Sequence, residues 1–328
     1  MTSNLPTPLT IEQTADLADQ VIREVEKAVV GKRQVLSLIM AALLSPGGHI
    51  LLEDYPGLAK TLIANSYAEA LGMSFKRIQF TPDLLPGDIT GGYVYNSSQG
   101  VFQLRRGPVF TNVLLADEIN RASPKTQSAL LEAMQEYRVT LEGETEELPA
   151  PFIVIATENP IEYEGTFPLP EAQLDRFMVK LSIGYPKPEE EDEILRRRAE
   201  RKHDDQRLQA VMTPETFLAM RAAVEEVYVD ADVRRYMVDL VAKTRRQRQI
   251  VVGASPRGSL ALFKLARAWA AMAGRRYVTP DDIKPFVHPA LDHRIILEPS
   301  LWEMKTTAAT MIDSVVQTVP VPVLLPAP

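Results

Sequence analysis

HILLEDYPGLAKTL, residues 49–62, is the stretch whose reading decides the fold. The apolar run His49–Glu53 reads as a strand, Pro56-Gly57 as a turn, and Lys60-Thr61 as the opening of a helix-compatible segment. That layout is a phosphate-binding loop, in which backbone N–H groups of a tight turn and of a helix N-terminus face an anion. Lys60 would add a point charge at the β- and γ-phosphates, and the Thr61 hydroxyl would reach Mg²⁺. Against the pattern G-x-x-x-x-G-K-[ST], Asp54 stands at the first glycine and Ala59 at the second, while Gly57, Lys60 and Thr61 are in place. A carboxylate at the mouth of a phosphate cradle weakens anion binding unless it points away or pairs with a cation. The alternative for the segment alone is an ordinary strand–turn–helix with a surface lysine.

Outward from this loop, strand-like apolar runs recur at Phe75–Phe80, Val113–Asp117, Phe152–Thr157 and Met178–Ile183, with helix-like segments between several of them, notably Lys60–Leu71 and Pro124–Tyr137. Such alternation predicts a parallel sheet flanked by helices. Two stretches interrupt it as insertions: Thr81–Phe110, rich in Gly and Pro, with short alternating pieces either side of Asn96–Gly100, and Arg138–Pro151, which reads as a hairpin turning near Glu142–Glu144. After Tyr185 the composition changes. Pro186–Pro188 resembles a linker, and helical periodicity recurs around Glu189–Lys202, Pro214–Val227, Asp232–Arg248, Ser255–Ala273 and Pro280–His288. The expectation is an α/β core over 1–187, with inserts at about 81–110 and 138–151, then a small all-α domain over 188–328 whose tail from Val319 to Pro328 is extended.

Val113-Leu114-Leu115-Ala116-Asp117-Glu118 fits a buried strand delivering two carboxylates to the C-terminal edge of the sheet, where open α/β sheets bind their ligands. Asp117 could hold Mg²⁺ through its water shell, and Glu118 could polarise an attacking water. A strand ending in a solvated turn is the alternative. Asn159, after Phe152–Thr157, could bond that water or the γ-phosphate, or simply begin an Asn-Pro turn. Arg176, just before the last core strand, suits either a solvated helix end or an arginine finger reaching a neighbouring subunit's nucleotide. Ser255 and Pro256 read as the N-cap and first residue of a helix, which fixes Arg257 at the rim of whatever that helix covers. Arg121 is either a second interfacial arginine or a partner in a salt bridge on its own chain. The basic runs at Arg196–Lys202 and Lys243–Arg248 read as solvated helix faces or a subunit contact. His288, Asp292 and His293 lack the further ligands that a metal site needs.

In their order, the strings PGLAKT (56–61), LLADEINRA (114–122), ATENP (156–160), LPEAQLDRF (169–177) and GASPR (253–257) resemble the AAA+ ATPases, and within them the MoxR family. The resemblance spans nearly the whole chain, from Val29-Val30-Gly31-Lys32 to the Val-Pro-Val-Pro near its end. It implies a P-loop AAA+ core of five parallel strands with β-hairpin inserts, a helical lid, and a ring or spiral of subunits, typically six. It places Val30 and Gly31 beside adenine and Pro56, Gly57, Leu58, Ala59, Lys60, Thr61 and Leu62 around the phosphates. Lys60 and Thr61 take the Walker A roles; Asp117 and Glu118 take the Walker B roles, with Thr61 and Asp117 serving Mg²⁺. Asn159 becomes sensor 1, Arg176 the arginine finger and Arg257 sensor 2. In relatives with a helix-2 insert the lid is displaced, which leaves Arg257 open to acting on its own subunit's nucleotide or its neighbour's.

Composition narrows the function classes. With no cysteine among 328 residues, disulfides, thiolate metal sites and cysteine nucleophiles are excluded. No apolar run approaches the ~20 residues of a membrane span, and MTSNLPTPLT lacks a secretory signal pattern, so a cytoplasmic location is the default. Residues 1–185 sum to −9 and residues 186–328 to +2, within a net charge of −7, so neither part is the basic body of a general polyanion binder. Three functions remain: an ATP-hydrolysing remodeller of protein partners, which the resemblance extends to partners with von Willebrand A domains or to metal-centre maturation; a nucleic-acid motor; and a nucleotide-binding scaffold with little turnover. The hairpin at 138–151 holds Glu142, Glu144, Glu146 and Glu147 against Arg138 alone, a sign that repels phosphates and disfavours the motor.

Overall fold

A computed structural model describes residues 9–160, 165–204, 206–300 and 307–323. Its elements run α1 (Ile11–Glu26), α2 (Arg33–Leu44), β1 (Ile50–Glu53), α3 (Lys60–Ala70), β2 (Phe75–Gln79), α4 (Pro86–Thr90), β3 (Gly91–Asn96), β4 (Val101–Arg106), β5 (Val113–Asp117), α5 (Pro124–Glu136), β6 (Arg138–Leu141), β7 (Glu144–Glu147), β8 (Ile153–Glu158), α6 (Glu171–Leu174) and β9 (Val179–Leu181). There follow α7 (Pro188–Arg201), α8 (Pro214–Glu225), α9 (Ala231–Thr244), β10 (Ile250–Val252), α10 (Pro256–Met272), α11 (Val287–Leu291), β11 (Ile296–Leu297) and α12 (Ala308–Thr318).

The core is a five-stranded parallel sheet of order β2-β5-β8-β1-β9. Its central strands read as unbroken apolar runs because both faces are covered. Successive side chains alternate between the faces. Ile50, Leu52, Val113, Leu115, Ile153 and Ile155 join the larger apolar cluster, with residues of α1, α2, α3 and the C-terminal helices. Leu51, Leu114, Ala116, Val154 and Ala156 join the other, with Leu130, Leu131 and Met134 of α5. A parallel sheet so arranged directs Glu53, Asp117 and Glu158 to one edge, and the loops leaving that edge carry the candidate residues.

Each predicted core strand forms, with boundaries within one or two residues of the sequence reading. The insertions form antiparallel hairpins, β3–β4 and β6–β7, and Glu142 and Gly143 both take positive φ at the second turn. The Tyr93 hydroxyl donates to Glu144 at 2.6 Å and Arg106 pairs with Glu146 at 2.9 Å, which joins the two hairpins. Two of the hairpin's carboxylates are therefore already engaged by neighbouring side chains.

The C-terminal region is helical, with one addition and one correction. The addition is a two-stranded ribbon, β10–β11, whose strands are too short to register as period-2 segments. The correction concerns Pro280–His288, which does not form one helix. It breaks into 3₁₀ turns at Pro280–Asp282 and Lys284–Phe286 before α11, since Pro285 supplies no N–H for a continuous ladder. Residues 324–328 of the tail lie outside the described residues. Helices α1 and α2, which the sequence reading passed over, pack against each other, and both pack against α8 and α10; α1 starts with a capping box in which Thr10 and Gln13 bond each other's backbone. No helix among the described residues is long and apolar enough to cross a membrane.

Candidate functional site

The loop between β1 and α3 makes the first wall. Gly57 has φ +83°, and a Cβ there would meet open space, so the backbone angle rather than crowding calls for glycine. Ala59 has φ +54°, in the left-handed region, at the position where the phosphate-loop pattern has its second glycine. A methyl side chain tolerates this at a cost of roughly 1–2 kcal/mol. The turn delivers Lys60 as the first residue of an 11-residue helix that no side chain caps. Its first-turn N–H groups and the positive end of its dipole therefore lie where an anion can use them. Leu58 is buried, Thr61 half-buried, and Pro56 and Leu62 exposed.

The Lys60 ammonium donates to the carbonyl oxygens of Asp54 and of Glu158, the latter at 3.2 Å, which ties together the ends of β1 and β8. Asp54, 6% exposed, turns away from the loop. Its carboxylate accepts hydrogen bonds from the Ser182 hydroxyl at 2.9 Å and from the Ile183 and Gly184 amides. It thus fastens the segment after β9 to the phosphate-loop mouth, which removes the repulsion expected of a carboxylate facing the cradle. Tyr55 and Tyr185 meet beside this tie, ring centroids 6.0 Å apart. The half-buried Val30 and exposed Gly31 lie in the α1–α2 loop; Gly31 (φ +72°) packs against Glu190, and Lys32 donates to the Tyr185 carbonyl at 2.8 Å.

Opposite stand the two carboxylates. The fully buried Thr157 hydroxyl donates to Asp117 Oδ1 at 2.6 Å and accepts from the Glu118 amide at 2.8 Å, so one side chain places both residues. Arg77 donates to Asp117 Oδ2 through Nη2 at 2.6 Å and Nε at 3.0 Å. Glu118, held at φ +56°, accepts from Gln79 at 2.6 Å and from Arg121 at 2.9 Å. Arg121 therefore makes the same-chain salt bridge that was one of its two readings. Non-glycine residues held at positive φ concentrate at functional sites. Asn159 follows at the end of β8 and is buried, 6% exposed. Hydroxyl and carboxylate oxygens are the hard donors Mg²⁺ takes, so Thr61 and Asp117 fit it chemically. The half-exposed Arg77 pairs with Asp117 Oδ2, so a cation held by that oxygen would compete with its guanidinium.

Burial pushes the Glu158 carboxyl up to about 7; Lys180 opposes the rise and Glu53 adds to it. Burial also holds the His49 imidazole down to about 4, against its bond to the Met134 carbonyl. The two act in opposite directions. Glu158 contributes stability that is complete below its unfolded value of 4.5 and lost as pH rises through about 7. His49 contributes stability that is complete above 6.5 and lost as pH falls towards about 4. Urea midpoints of wild type and Glu158→Gln are therefore expected to diverge on acidification, wild type gaining up to ~1.4 kcal/mol per pH unit on the variant between these limits. Parallel profiles would show that Glu158 does not titrate there.

Arg176 and Arg257 lie elsewhere. Together they line a cavity of about 280 Å³ with His49, Met134, Lys264 and Arg294, a set that includes no residue of the phosphate loop. Arg176 is half-buried and donates to the Leu131 carbonyl at 2.7 Å; Arg257 is exposed near the start of α10. The structure thus separates the candidate residues into a phosphate-loop and carboxylate group and an arginine group. Sequence reading missed Arg77, Gln79 and Thr157, although a threonine closing an apolar strand signals a buried hydroxyl in need of partners. His288 bonds Asp292 and Asp313, each at 3.1 Å, and no metal-ligand cluster occurs among the described residues. The basic run on α7 is paired locally, Arg196 with Glu193 and Glu200.

The profile of the ATPase family associated with various cellular activities matches residues 49–179, and that of the AAA lid domain matches residues 242–315. The chain is 46% identical to the uncharacterized protein YeaC of Bacillus subtilis, over 95% of this chain and 97% of the relative. It is 41% identical to Chaperone MoxR1 of Mycobacterium tuberculosis, over 93% of this chain and 82% of the relative. The crystal structure of a candidate ATPase from Cytophaga hutchinsonii superposes with a TM-score of 0.88 at 39% identity, covering 94% of this chain and 96% of that one.

Proposed function

Because the chain belongs to the MoxR family of AAA+ ATPases, we propose that it hydrolyses ATP with Mg²⁺ at subunit interfaces and uses the cycle to remodel or mature partner proteins. The observation that carries this reading is the chain of contacts at one sheet edge. Lys60 grips the ends of β1 and β8, while Thr157 of β8 sets Asp117 and Glu118 at the end of β5. In this reading 1–187 is the nucleotide-binding core and 188–328 the lid and tail.

Residues 56–62 bind the triphosphate through backbone N–H groups and the Lys60 ammonium, and Val30 and Gly31 border the base. Thr61 and Asp117 hold Mg²⁺, which when bound neutralises phosphate charge. Glu118 leaves Gln79 and Arg121 to orient the attacking water, and Asn159 steadies that water or the γ-phosphate. Phosphoryl transfer asks mainly for such positioning and charge stabilisation. Arg176, with Arg257 beside it, meets the nucleotide of the adjacent subunit in a ring or spiral, typically of six. The separation of the arginines from the phosphate loop supports action in trans for both.

The relative named as a chaperone supports protein clients; partners with von Willebrand A domains are the class proposed here. The acidic β6–β7 hairpin argues against nucleic acid as the cargo. Purified protein is expected to release phosphate from ATP with Mg²⁺ and to stop in excess EDTA, resuming when Mg²⁺ is restored. Release that ignores EDTA, or never rises above a no-enzyme control, would contradict the reading.

A further inference from the structure

The two arginines of this cavity come from stretches of chain far apart in sequence, and one carboxylate joins those stretches. Asp175 immediately precedes Arg176. Its Oδ2 accepts a hydrogen bond from the Ser255 hydroxyl at 2.8 Å, and its Oδ1 accepts from Arg294 Nε at 2.8 Å. Ser255 is the N-cap of α10, and its hydroxyl oxygen also accepts from the Arg257 amide at 3.1 Å. One hydroxyl thus bonds the neighbour of Arg176 and the backbone of Arg257 together. Arg294 anchors the arrangement from below, its side chain 3% exposed, donating to the carbonyls of Phe177 at 2.7 Å, Met178 at 3.2 Å and Ala290. Nearly every polar group of this knot has a partner, and a satisfied buried network rigidifies what it connects.

We propose that Asp175 is a positioning residue which, through Ser255, holds Arg176 and Arg257 as one preformed unit, so that core and lid present both guanidinium groups to a neighbouring nucleotide together. The proposal rests on the assignment of those two arginines made above. Asp175 touches no substrate; it fixes the spacing of groups that do. Misplacing a charge-stabilising group by about 1 Å costs up to ~10²-fold in rate while leaving ground-state binding almost untouched.

The test uses Ser255→Ala, since removing Asp175 itself strands the buried Arg294 charge and can unfold the protein. Ser255→Thr keeps the hydroxyl. Thr213→Ala removes the N-cap of α8, a comparable loss of stability made away from Asp175. Ser255→Ala is expected to lower kcat about tenfold with ATP affinity within about twofold, while Ser255→Thr and Thr213→Ala stay within about twofold of wild type in kcat. Wild-type kcat in Ser255→Ala, alongside loss of turnover in Arg176→Ala and Arg257→Ala, would overturn the positioning role alone. Wild-type kcat in all of them would overturn the arginine assignment and the positioning role with it.

Discussion

Lys60→Ala and Glu118→Gln are expected to silence ATP hydrolysis by two different routes. Lys60 carries the one cationic side chain of the phosphate loop, and its ammonium spans the carbonyls of Asp54 and Glu158. Without it the loop keeps its backbone N–H groups but loses the charge-assisted contact, so nucleotide affinity should fall by ~10²-fold or more. Glu118→Gln leaves that cradle intact. The amide keeps the shape of the side chain and loses the charge that polarises water, so turnover should fall by ~10²–10⁴-fold with ATP still bound. Equilibrium titration with a fluorescent ATP analogue and phosphate release separate the two. A Glu118→Gln protein that turns over at the wild-type rate would remove Glu118 from the chemistry.

Arg176→Ala has the largest effect expected of a residue outside the phosphate-loop group. An arginine supplied across an interface stabilises charge on the transferring phosphoryl group and is worth ~10³–10⁵ in rate. Arg176 is pre-aimed by its bond to the Leu131 carbonyl and by its neighbour Asp175, which itself is fixed on two sides. Its loss should leave ATP binding to the isolated subunit unchanged, because the cavity it lines with Arg257 is bordered by no residue of the phosphate loop. Lysine at 176 should rescue poorly, since an ammonium cannot make the planar, bidentate contact of a guanidinium.

Much of this was legible in the chain itself. The sheet announced itself because both faces are buried and its strands, Val113–Asp117 above all, are continuous apolar runs that end in charged residues. Lys60, Asp117, Glu118 and Asn159 could be picked out as candidates because each closes or opens a regular element, where periodicity stops. Asp54 could not be resolved that way. Its sequence position puts a carboxylate at the phosphate-loop mouth, and only the fold shows the amides of Ile183 and Gly184 receiving it. The same holds for Arg77, which sits on strand β2 and meets Asp117 solely through parallel register with β5. The ribbon β10–β11 and the 3₁₀ turns near Pro285 escaped because elements of two or three residues are shorter than any period that betrays them.

Mixing two inactive variants tests the composite interface most directly. Arg176→Ala keeps Glu118, and Glu118→Gln keeps Arg176, so each supplies what the other lacks only if the two residues come from different subunits. Equal amounts, mixed under conditions that let subunits exchange, should recover about a quarter of the wild-type phosphate release, the share of interfaces that pair an intact Glu118 with an intact Arg176 in a head-to-tail assembly. A mixture as inactive as its components, with exchange verified, would place both residues in the same site on one chain and contradict the account.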